Sequence, residues 1–199
     1  MSAASETIVR EFFELHGFFV RQPRKYTPPP RHQEEDDDID FFVLQPHPLA
    51  REAPLPFVLG TDDLPYVSRA IVVVKGWHTE TFSSGVLARA PEIFRFVQPK
   101  AFQQAARAFE KDATPLKVLV VPALPQEAPA RDESITLLRA KGIDAVIPFR
   151  TLLADLINQT ESNRNYQKSD LLQIIRIFKN YDFFREPQMD LFKARRGKR

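Results

Sequence analysis

The segment Ala70-Ile71-Val72-Val73-Val74-Lys75 constrains this chain more than any other. An uninterrupted β-branched run of this kind belongs to a strand buried on both faces of a sheet, and it ends in a lysine followed by Gly76 and Trp77. Such a strand needs helices on both sides of its sheet, which predicts an α/β protein.

The rest of the sequence alternates accordingly. Ser2 or Ser5 can cap a first helix through Leu15, with Ile8, Val9, Phe12 and Phe13 at helical spacing, and Gly17 stops it. A strand is expected over 18–21, then a loop containing Pro28-Pro29-Pro30. The acidic run Glu34–Asp38 gives way to Ile39-Asp40-Phe41-Phe42-Val43-Leu44, a short apolar strand with a carboxylate at its entry. Residues 47–68 read as an insertion with one possible extra strand over 57–59. A helical region broken near Pro91 and Pro99 is expected over 84–109, and a buried strand over 116–121. A helix over 132–141, a strand over 143–147 and a helix over 149–158 follow. Ser169 can cap a last helix over 170–180, too apolar to stand free in water, which must pack on the core or on a partner.

The sequence therefore predicts a domain over 1–158, a C-terminal helical extension over 159–190 and a basic tail over 191–199. Seventeen phenylalanines and only six glycines in 199 residues suit a packed core. The absence of cysteine removes disulfides, thiolate zinc sites and cysteine nucleophiles, and fits a reducing, cytoplasmic setting. No stretch approaches the roughly 20 apolar residues of a spanning helix, so no membrane partner is expected.

A net charge of +2 rules out a globally basic coat protein and leaves local patches to attract polyanions. One is Arg21, Arg24, Lys25 and Arg31; the other is the tail with Lys193, Arg195, Arg196, Lys198 and Arg199, which serves either solubility or phosphate binding. The run at 34–38 lacks the glycine and terminal glutamate of a calcium loop, and no Walker A, HExxH, GxSxG or GxGxxG pattern is present.

Hydrolysis of a phosphodiester at neutral pH calls for clustered carboxylates, a divalent cation and a nearby lysine. Asp40 on one strand and Lys75 at the end of the next principal strand meet if those strands are neighbours sharing a face. The order helix, strand, strand with Asp, strand with Lys, helix, strand over residues 5–153 resembles the PD-(D/E)XK, or restriction-endonuclease-like, nuclease superfamily. The resemblance implies a mixed central sheet flanked by helices. It also implies a first-helix glutamate, best matched by Glu6, a second-strand aspartate at Asp40, and a third-strand acidic-x-Lys triplet.

Here that triplet is Val73-Val74-Lys75, and valine cannot ligate a hard cation. Some members of the superfamily supply the acid from the following helix, where Glu92 stands, with Glu80 second and Asp38 a weaker substitute. Glu92 also reads as a solvated first-turn glutamate favoured by the helix dipole. The resemblance thus implies a Mg2+- or Mn2+-dependent DNA nuclease with Asp40 and Glu92 on the metal, Lys75 at the water and phosphate, and Glu6 in support. Its alternative is a catalytically inactive nuclease-fold module that binds nucleic acid or scaffolds a complex, with the 170–180 helix available to a second copy or partner. Trp77 can stack a base or pack beneath a helix, and His78 can touch a phosphate or simply be exposed.

Overall fold

A computed structural model of the chain describes residues 2–23, 39–109 and 114–184. It divides into two compact units at Leu156 and Ile157. The first is an α/β unit built on one five-stranded open sheet, with strands β1 (Phe19–Arg21), β2 (Phe41–Leu44), β3 (Arg69–Val74), β4 (Leu116–Val121) and β5 (Ala145–Pro148) in spatial order 1-2-3-4-5. β1, β2 and β3 form an antiparallel meander, whereas β3, β4 and β5 run parallel. The change follows from the connections. Parallel neighbours need a crossover, and the chain supplies helices in both intervals after β3.

The expected buried strand is β3, in which Ala70 to Val74 are all enclosed. Ile71 and Val73 join Leu119, Val121 and Val146 in one core cluster. That cluster is capped by Leu87 of α2 (Ser84–Arg89), by Ile93, Phe94 and Phe96 of a 3-10 segment (Pro91–Val97), by Ala105 of α3 (Pro99–Ala106) and by Leu138 of α4 (Ala128–Ala140). The alternate residues Val72, Val74, Val118 and Val120 point to the other face. There α1 (Ala3–Leu15) buries Val9, Phe12 and Phe13, and α5 (Phe149–Gln159) buries Leu152 and Leu156. His16 Nε2 and Asp155 Oδ2, 2.7 Å apart, tie the end of α1 to α5.

The prolines sharpen three boundaries. The helical region expected over 84–109 is three separate pieces, because Pro91 and Pro99 each begin a new one. α4 starts at Ala128 instead of 132, since Pro129 in the first turn loses no helical hydrogen bond. The strand expected over 143–147 is displaced to 145–148, with Gly142 at φ +90° turning the chain first. The possible strand over 57–59 is a single bridge from Val58 to Val146 at the β5 edge.

In the second unit α6 (Asp170–Asn180) is capped by the Ser169 hydroxyl, which accepts the Leu172 amide. Lys179 Nζ donates to the Thr160 carbonyl and Arg176 Nε to that of Ser162, holding the preceding loop to the helix. Leu172 and Ile175 are buried, but Ile174, Ile177 and Phe178 are exposed. No helix among the described residues is long and apolar enough to cross a membrane.

Candidate functional site

β2 begins one residue after Asp40, paired antiparallel with β3 so that Phe41 faces Val72. The Asp40 amide continues the ladder by donating to the Val72 carbonyl at 3.1 Å. Its side chain then does what a strand carbonyl would do: Oδ2 accepts the Val74 amide at 2.6 Å. Strand alternation breaks at this point, since Ile39 and Phe42, three residues apart, both lie against the same apolar cluster. The carboxylate is thus pinned to the end of β3 with its second oxygen not engaged by that bond.

Burial raises the Asp40 pKa from 3.8 to about 6, against the Val74 amide and the Lys75 charge, which pull it down; the Glu6 charge adds to the rise. Asp40 therefore lies within electrostatic reach of both Lys75 and Glu6. Lys75, half-buried, extends β3 by one rung, its amide donating to the Val120 carbonyl at 3.0 Å. Glu6 stands in the first turn of α1, where the helix dipole favours a carboxylate. Gln22, just past β1, donates to Glu6 Oε2 at 2.5 Å, and Gln22 in turn accepts from Arg10.

The start of α1 packs directly on the turn after Lys75. A Cβ on Gly76 would come within 2.7 Å of the Ser5 hydroxyl, so glycine permits this approach. The same hydroxyl is 2.9 Å from His78 Nε2, and the His78 ring stands edge-on to Phe149 with centroids 4.5 Å apart. Ser5, Gln22 and Arg10 escaped the sequence reading because each acts across a long sequence separation and belongs to no local motif.

The start of α1, which carries Glu6, thus meets the turn after Lys75 through Ser5, Gly76 and His78, and Asp40 is bonded to Val74, the last residue of β3. Val73 is not part of this junction: it is fully enclosed in the apolar cluster with Ile71, Phe82 and Leu119. Glu92 is in the first turn of the 3-10 segment, half-buried, and its charge is not among those acting on Asp40; Glu80 is exposed. Among the described residues no group of three or more His, Asp or Glu is arranged to hold a metal ion. Arg21 is exposed on the edge strand β1, and Trp77 is half-buried with its ring edge-on to Phe82 at 5.6 Å. Arg24, Lys25, Arg31, Asp38 and the basic tail lie outside the described residues.

Chemically, Glu6, Asp40 and Lys75 offer two hard carboxylates and one ammonium. Mg2+ commonly takes one or two protein carboxylates and fills the rest of its shell with water and substrate phosphate. The Val74 bond engages one oxygen of Asp40 and the Gln22 bond one oxygen of Glu6, so the other oxygen of each is the donor such an ion would use. No protein-family model matches the chain, and comparison with curated proteins and with solved structures gives no match.

Proposed function

We propose that this chain is a restriction-endonuclease-like protein that hydrolyses DNA phosphodiester bonds with the help of Mg2+ or Mn2+. The observation that carries the reading is the 2.6 Å bond from the Val74 amide to Asp40 Oδ2, which holds an acid at the end of the strand that Lys75 follows. The element order helix, strand, strand preceded by Asp40, strand followed by Lys75, helix, strand supports it. Asp40 and Glu6 would hold the cation, which when bound polarises the phosphate and its attacking water. Lys75 neutralises charge on the phosphoryl oxygens and orients the water. Glu6 replaces Glu92 as the favoured second acid, because Glu6 is the one whose charge acts on Asp40.

The test is Mg2+- or Mn2+-dependent cleavage of single- and double-stranded DNA by the purified chain, beside Asp40→Ala, Lys75→Ala, Glu6→Ala and Glu92→Ala. Loss of cleavage in the first three with Glu92→Ala active supports the assignment. Loss in Glu92→Ala as well would return that residue to the site.

The second reading is a catalytically inactive module that binds nucleic acid or scaffolds a complex. The enclosure of Val73 in the core favours it, since the third strand then offers no acid to a metal. Salt-sensitive DNA binding without cleavage would mark this case. Under either reading the exposed Ile174, Ile177 and Phe178 of α6 offer a face for a homodimer or larger complex, and a cysteine-free chain suits work in the cytoplasm.

A further inference from the structure

The turn that follows Lys75 walls an open cavity of about 470 Å³, lined by Trp77, Thr79, Glu80, Val86, Arg89 and Ala90. Its size falls within the roughly 300–1,000 Å³ of small-molecule sites. The lining combines an aromatic ring, the apolar side chains of Val86 and Ala90, one carboxylate and one guanidinium.

The cavity wall is fixed in place. Gly76 is pressed on Ser5, His78 is bonded to the same Ser5, Glu80 donates its amide to the Trp77 carbonyl at 2.8 Å, and Phe82 donates to the Ala123 carbonyl at 2.9 Å. Also in the lining, Arg89 Nε donates to the Gly85 carbonyl at 3.1 Å, which orients the guanidinium and leaves its terminal nitrogens for another acceptor. Among the described residues neither Glu80 nor Arg89 is in an ion pair. Trp77 is two residues from Lys75, so their Cα atoms are no more than about 7 Å apart.

We infer that this cavity binds one unpaired guanine base of a nucleic acid, beside the phosphate engaged by Lys75. Trp77 supplies the stacking surface that any base can use. Glu80 supplies the selection: a carboxylate accepts two parallel hydrogen bonds from the N1–H and the exocyclic amine of guanine. Adenine and cytosine each present an amine beside a ring-nitrogen lone pair, which repels the second carboxylate oxygen, and thymine presents a lone N–H between two carbonyls. Arg89 pairs with the phosphate of the bound nucleotide through its terminal nitrogens. A base seated this way must leave its duplex, so the strand taken up is single or frayed.

This inference rests on the nucleic-acid reading of the Asp40 and Lys75 site, but its test does not require cleavage. Trp77 is the only tryptophan of the chain, so its fluorescence reports on this cavity alone. The whole protein, without divalent metal, is titrated with dGMP, dAMP, dCMP and dTMP, exciting at the red edge of tryptophan absorption where nucleotides are transparent. Saturable quenching by dGMP is expected, about ten-fold tighter than by the other three. Glu80→Gln should bring the four nucleotides within about two-fold of one another, and Arg89→Ala should weaken all four together. Both variants should keep the circular dichroism of the parent. Absence of saturable quenching, equal quenching by all four, or a guanine preference that survives Glu80→Gln overturns the inference. Guanine-selective quenching in a protein that cleaves nothing sustains it while the nuclease reading falls; cleavage without quenching does the reverse.

Discussion

The Asp40 side chain accepts the Val74 amide at 2.6 Å, so the acid entering β2 is bonded to the strand that ends in Lys75. The bond fixes an acid where the surrounding protein disfavours its charge, and the Asp40 pKa of about 6 reflects that conflict. A group whose pKa rises on folding stabilises the fold when protonated. The benefit is complete below 3.8 and is lost as pH climbs through about 6. Asp40→Asn keeps an oxygen for the Val74 amide and cannot ionise. It should therefore be more stable than the parent above about pH 7, by roughly 3 kcal/mol, with the gap closing toward about pH 4. Urea unfolding of both proteins across that range checks this. A gap that does not change with pH would show that Asp40 titrates normally.

The two neighbours push the Asp40 titration in opposite directions. Lys75 stabilises the carboxylate and Glu6 opposes it. Lys75→Met should move the Asp40 midpoint to higher pH, and Glu6→Gln should move it lower. Carbon-detected NMR of the aspartate carboxyls reads both shifts, with Asp40→Asn identifying the signal. Movement of the midpoint in the same direction in both variants would contradict the mutual placement of the three groups.

Much of this frame is legible in the sequence because it depends on local pattern. The β-branched run is β3, the apolar stretch after Asp40 is β2, and the alternation of strand and helix after Lys75 produces the parallel half of the sheet. What pattern cannot supply is the fine placement of a side chain. The break in alternation at Asp40, the bond from Gln22 to Glu6 and the approach of Ser5 to Gly76 all join residues far apart in sequence. Pro91 and Pro99 marked the breaks in the helical region after β3, whereas Pro129 was not read as a first-turn residue and α4 began four residues before the expected helix. Glu92 looked eligible because it stands in the helical region that follows Lys75, a position that carries no information on its distance from Asp40.

Val73 gives the sharpest contrast between a motif and its surroundings. Placing glutamate there would restore the acidic-x-Lys pattern, yet the side chain is fully enclosed with Ile71, Phe82 and Leu119. Burying a carboxyl in that cluster without a partner costs several kcal/mol, met in part by the group remaining protonated. Val73→Glu should therefore lower stability by about 3 kcal/mol or more and give no gain in Mn2+ affinity. Isothermal calorimetry with Mn2+, together with thermal unfolding, tests both halves. A folded variant with markedly tighter Mn2+ binding would mean that position 73 can turn toward Asp40.

The contact of Gly76 with Ser5 joins the start of α1 to the turn after Lys75, and it can be tested as a pair. In Gly76→Ala the new methyl meets the Ser5 hydroxyl at 2.7 Å and the Ser5 Cβ at 3.3 Å, so the turn or the helix must shift. A cost of about 1–2 kcal/mol is expected. Ser5→Ala removes the nearer atom and the hydrogen bond to His78 while leaving the Cβ. The double variant should therefore recover part of the Gly76→Ala loss, making the two changes non-additive by about 0.5–1 kcal/mol in a denaturant-unfolding cycle. Ser5→Gly in the Gly76→Ala background removes both close atoms and should recover more of the packing loss, offset by the roughly 1 kcal/mol that glycine costs inside a helix. Strict additivity would place the two residues apart, and with them Glu6 and Lys75, each of which is the chain neighbour of one member of the pair.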